Sequence, residues 1–327
     1  MPRSCMTPMS PLKARRPKTV KQFCLAAAIA GLVLTGPNFG YAADCQGTLL
    51  TGVGGVAKSW KLRDGTLAAF AKMNINIDGY AKAYHPKNFD GGAVIHLCNA
   101  GEVFLPDGTS YQGSESNATC TGRFMTDFAR IGATDWNDPR TGAINWFGIL
   151  GTGTATIHGR TVREVKPVLQ QDGSGFYVSP TAWADNRVTD PADQSRYVNP
   201  LRVAAAVAPR SATANGAALG TFGVAIDRTQ NHAVPFVVDD IGPRIGEGSP
   251  SLARPVHGLP ASDTITRQNR FAGQVDRNDV LWVFFGGDAI AFDHQQESAL
   301  AQRAASAFNN WGGEQRLSAC LSAVPRN

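Results

Sequence analysis

Apolar positions along the chain fall into short runs broken by glycine, proline and polar turns, a pattern of strands rather than long helices. "FGVAIDRTQNHAVPFVV" (222–238) holds two β-rich runs joined by a polar turn at Arg228–Asn231, which predicts a hairpin. Pro235 places the start of the second strand there, or that strand at an edge. "VLWVFFGG" (280–287) is the most hydrophobic strand candidate. "GFYVSPTAWAD" (175–185) and "RYVNPLRVAAAVAP" (196–209) read as strands broken by turns, and "NINIDGYAKAYHP" (74–86) alternates around a turn. Residues 97–150 are rich in Gly, Asp, Asn and Ser, with "AINWFGIL" (143–150) as the clearest apolar run, so long loops with short strands are expected there. Two helices are expected besides the short "PSLAR" (250–254). One is short, over "DGTLAAFAKM" (64–73). The other is C-terminal: Asp293 caps it with Gln296 at the third position, Leu300, Ala304, Phe308 and Trp311 share one face, and Gly312-Gly313 stop it. The pattern is mostly β, with a few peripheral helices.

The N-terminus changes how the charge is counted. Residues 1–22 carry Arg3, Lys13, Arg15, Arg16, Lys18 and Lys21 and no acid, then comes the apolar "FCLAAAIAGLVL", too short to span a bilayer comfortably, and small residues at Gly40 and Ala42. This is the layout of a secretory signal, 1–42, followed by a single domain, 43–327. Of the 31 basic residues six lie in that leader, which leaves 25 against 26 acidic ones. The mature chain therefore has no basic footprint for nucleic acid, and no stable membrane association is expected after cleavage. Cys5 and Cys24 leave with the leader; Cys45, Cys98, Cys120 and Cys320 stay, an even number that suggests two disulfides in an oxidising compartment, periplasm or medium. Three connectivities exist; Cys98–Cys120 closes a short loop and Cys45–Cys320 ties the ends, and this pairing is preferred. No CxxC or HExxH supports zinc instead.

Most catalytic patterns are missing. There is no G-x-S-x-G and no phosphate-binding glycine loop, and His294 with Glu297 reads as surface charge on the last helix. "NINIDG" begins with Asn74 where a calcium loop needs Asp, so no metal is expected. Trp183, beside Asp185, is the best candidate for stacking on a sugar ring. The stretch "VPFVVDDIGPRIGEGSPSLAR" (234–254) stands out: an apolar run ends in Asp239 and Asp240, a Gly-Pro turn follows, and Glu247 sits between two glycines. Strand alternation puts Asp239 and Asp240 on opposite faces. Ser249-Pro250 reads as an N-cap with proline in the first turn. Two carboxylates on rigid supports are what glycoside hydrolysis needs, one protonated and one ionised. From composition alone, the reading that Asp240 and Glu247 simply hydrogen-bond a tight loop is slightly favoured.

"VVDDIGPRIGEGSPSLAR" resembles the signature of the fungal-type glycoside hydrolase family 75 chitosanases, and "KMNINIDGYAKAYHP" resembles that family's upstream K-M-x-I-D-x-D-G…A-Y-H-P segment. The likeness runs over roughly residues 65–290. It departs at Asn76, where the family pattern has Asp, and at Asp239, where it has an aliphatic residue or glycine. The resemblance implies a small β-barrel with long loops, the double-psi form being one candidate, and an endo-acting hydrolase of β-1,4-linked glucosamine chains that inverts the anomeric centre. It puts the catalytic pair at Asp240 and Glu247. Burial of the strand end argues for Asp240 as the acid, and the following helix N-terminus argues for an ionised Glu247. Asp78, Asp185 and Asp239 are candidates to pair with substrate ammonium groups. No cofactor is implied, and a monomer is expected. The alternatives are a hydrolase or lyase on chitin or peptidoglycan, and a carbohydrate-binding protein without turnover.

Overall fold

The computed structural model describes residues 44–327; the leader and its expected cleavage site lie outside the described residues. The chain enters through two antiparallel strands, β1 (Gly47–Thr51) and β2 (Lys58–Leu62), and continues into β3 (Leu67–Ile75). A strand thus stands where a short helix was expected. The reason is burial on both sides. Leu67, Ala69, Ala71 and Met73 face one core, while Ala68 and Phe70 face another. A strand covered on both faces loses its alternation, and its alanines then read locally as helix formers.

Residues 97–150 form the expected short strands: β4 (Gly101–Phe104), β5 (Ser110–Gln112) and β6 (Ala143–Trp146) make one sheet in the order β5-β4-β6. A helix not foreseen, α1 (Phe124–Gly132), packs beside them, and Cys98–Cys120 closes the preceding loop. A hairpin follows, β7 (Gly151–Ile157) with β8 (Arg160–Pro167).

The remaining strands are β9 (Ala205–Pro209), then, after the short helix α2 (Arg210–Thr213), β10 (Phe222–Asp227), β11 (His232–Gly242), β12 (Glu247–Gly248) and, after α3 (Pro250–Val256), β13 (Val275–Gly286). In the order β3-β12-β9-β11-β10-β13 they close on themselves, because β13 also pairs with β3. The result is a six-stranded barrel, the small barrel that was expected. Two of its pairings are parallel, β11 with β9 and β12 with β3. β10 and β11 are the expected hairpin. β9 joins β11 only from Val237 on, so Pro235 meets no second ladder that would need its missing N–H. Trp282, Phe236 and Phe284 fill the interior. Truncating such a side chain to alanine costs about 3–5 kcal/mol.

The outer face of β3, β10 and β13 is covered by the C-terminal helices α4 (Leu300–Trp311) and α5 (Gly313–Ala323). Leu300, Ala304, Phe308 and Trp311 are all buried, as their spacing predicts. Gly312 bends the chain but does not end the helical region, since α5 starts at Gly313. Cys45–Cys320 ties α5 to the start of the described chain. Among the described residues no helix is long and apolar enough to cross a membrane.

Candidate active site

The end of β11 carries a β-bulge. Val238 pairs with Ala206 of β9, yet the next pair is Asp240 with Val207, so Asp239 is an extra residue without a partner. Val238, Ala206 and Ala208 face the barrel core. Regular alternation would turn Asp240 inward with them; the inserted residue puts it outside instead, beside Val207. The extra residue at Asp239 is what redirects Asp240.

Glu247 arrives at the same row from the other side. On β12 it pairs with Val207 of β9 and with Asn74 of β3. Gly248 faces inward: a Cβ there would press on Leu252, Met73 and Trp282. Gly246, at φ 121, supplies the backbone shape that brings so short a strand into the ladder. Ser249 caps α3 by accepting from the Leu252 N–H, as its position predicts. Asp240, Val207, Glu247 and Asn74 thus form one row across four strands on the outer barrel face.

This row floors a cleft of about 640 Å³ whose walls include Asn76, Asp78, Tyr84, Phe147 and Phe271. Among the described residues no basic side chain lines it. Asp240, Phe147 and the turn at Gly242-Pro243 also border an adjoining basin of about 730 Å³, which adds Glu164 and Arg210. Phe147 and Phe271 are half exposed, at 53% and 49%.

Each carboxylate sits in its own field. One Asp240 oxygen accepts the Ala182 and Ile241 N–H groups at 2.9 and 2.8 Å, and the other accepts Asn76 Nδ2 at 3.4 Å. Burial raises its pKa, and these donors oppose the rise. Glu247 is raised by burial too, with Arg244 opposing and Asp240 adding to the rise. Asp78 is pushed well above the usual carboxylate range by burial, then by the charge of Asp240, and it accepts the Tyr84 O–H at 3.3 Å. Tyr84 was not singled out from the sequence, although it lies in the segment that pointed to Asp78.

Three expected substrate contacts are corrected. Asp239 is only 4% exposed, and burial keeps its carboxyl well above the usual range. Its role is the bulge, and its carbonyl accepts the Trp183 N–H. Trp183 is buried against Phe292 and donates its indole N–H to Ile290, so its ring is not an open stacking surface. Asp185 is fully buried away from the carboxylate row. It binds Arg187 at 2.6 Å and His294 Nδ1 at 2.7 Å, and Arg187 holds its carboxyl far below the usual range. His294 is therefore a tie between the 185–187 loop and the segment before α4, not free surface charge.

The aromatic surface of the cleft comes from Phe147 and Phe271 instead. β6 ends at Trp146, so Phe147 leaves the apolar run and turns outward. Only its position at the end of that run hints at this; Phe271 carries no sequence signal. Among the described residues, the sets that could chelate a metal are already committed: Cys98 and Cys120 to their disulfide, Asp185 and Asp293 to Arg187. No family model and no curated protein matches this chain.

Proposed function

We propose that the protein is an endo-acting glycoside hydrolase that cleaves β-1,4 bonds between glucosamine units of chitosan, with Asp240 and Glu247 as its acid–base pair. One observation carries the reading. Asp240 and Glu247 flank a single residue, Val207, on one barrel face, and they open into a cleft with no basic side chain among the described residues of its lining. Two strand spacings separate their backbones by about 9–10 Å. That suits a carboxyl separation of roughly 6.5–9.5 Å, which leaves room for a water between base and sugar. The ionised carboxylate takes a proton from this water as its oxygen bonds to the anomeric carbon. The glycosidic C–O bond breaks, and the leaving oxygen takes the proton of the other carboxyl. The anomeric centre inverts.

With one carboxylate of the pair ionised and no basic side chain among the described residues of its lining, the cleft suits a cationic chain, and Phe147 and Phe271 offer apolar faces to sugar rings. The cleft continues past Asp240 into the second basin, which suits a chain bound in its middle. The two disulfides fit an oxidising compartment, and secretion or periplasmic residence is part of the proposal. The test is reducing-end release by the mature protein from chitosan, chitin and peptidoglycan in parallel. Release from chitosan in preference to the other two is expected; release from peptidoglycan with chitosan untouched would replace this reading by its rival.

A further inference from the structure

Asn76 stands just beyond β3, where its side chain meets two partners. Its Oδ1 accepts the Asp78 N–H at 2.8 Å. Its Nδ2 donates to Asp240 Oδ2 at 3.4 Å. A backbone N–H can be met only by an acceptor, so the oxygen of this carboxamide must face Asp78 and its NH2 must face Asp240. With the Ala182 and Ile241 N–H groups, Asp240 is surrounded by three donors. Among the described residues no donor reaches the Glu247 carboxylate within hydrogen-bond distance.

We propose that Asn76 is a positioning residue: its fixed NH2 keeps Asp240 the ionised member of the pair, so that Asp240 activates water and Glu247 carries the proton for the leaving oxygen. This rests on the hydrolase reading and reverses the assignment that strand burial and the helix N-terminus suggest from sequence. The other groups facing Asp240 agree with it. Burial holds the protons of Asp78 and Asp239 well above the usual carboxylate range, so neither competes for the negative charge. Tyr84 points its O–H at Asp78. Among the described residues Arg244 is the cation that opposes the rise of Glu247, and burial of Glu247 outweighs it. α3, whose N-terminus follows Glu247, has its first-turn Leu252 N–H met by Ser249.

The test is carbon NMR titration of the side-chain carboxyls in the substrate-free protein, with Asp240 assigned through Asp240→Asn. Asp240 is expected to titrate below Glu247. Asn76→Asp keeps the shape and the acceptor for Asp78 N–H but removes the donor and adds a like charge; it should raise the Asp240 titration by about one to three pH units. Asn76→Ala, which adds no charge, should raise it less. The acid limb of kcat/KM against pH should move with it. Glu247 titrating below Asp240, or an Asp240 that does not move in Asn76→Asp, overturns the proposal. Because the titration needs no substrate, a protein that titrates as expected but leaves chitosan intact sinks the hydrolase reading and not the assignment.

Discussion

Asp240 and Glu247 are register partners of the same residue, Val207, one through a parallel pairing and the other through an antiparallel one. Neither carboxylate sits on a free loop. Each is held by a ladder whose other members line the barrel core, so their separation is set by the sheet itself and not by the turn that joins them.

Replacing either acid should therefore remove chemistry without removing the cleft. Asp240→Asn and Glu247→Gln are each expected to lower kcat on chitosan by about 10²–10⁴-fold. Binding of chitosan oligosaccharides, followed by calorimetry, should persist in both. Near-normal turnover in either variant would take that residue out of the pair.

The buried acids make stability depend on pH. Burial raises the Asp239 pKa in the folded protein above its unfolded value. Such a group stabilises the fold fully below the unfolded pKa, near 3.9, and that stabilisation is lost as pH rises toward the folded pKa. Asp239→Asn removes the cost of holding the acid in its buried place. The melting temperature of this variant, relative to wild type, should climb as pH goes from about 4 to 8. A gap that is flat or shrinks over that range would contradict the burial account.

Phe147 borders both basins beside Asp240 and is half exposed. Phe147→Ala is expected to raise KM for chitosan oligosaccharides about tenfold, or about 1.4 kcal/mol, with little change in kcat. An unchanged KM would show that the ring does not carry a sugar.

Much of this was legible in the chain. The β10–β11 hairpin, the β13 run and the buried face of α4 follow from local pattern, because each rests on neighbours in sequence; parity of the cysteines gives two disulfides, and the pairing preferred among three is the one the structure bears out. β3 did not, because burial on both faces erased the alternation that marks a strand. In the site, Asp240 and Glu247 stand out in sequence, but the meaning of Asp239 does not: a bulge is defined by the partner strand, and β9 lies some thirty residues upstream. For the same reason Trp183 and Asp185 looked available. What occupies them, Phe292 and the Arg187–His294 pair, comes partly from about a hundred residues away.

The most direct test of the central claim is time-resolved proton NMR of a chitosan oligosaccharide during hydrolysis, reading which anomer of the new reducing end appears first. A water seated between two carboxylates two strands apart attacks from the face opposite the leaving oxygen, so the α anomer should appear first and the β form only by later mutarotation. Initial appearance of the β anomer, or no cleavage at all, would contradict the account.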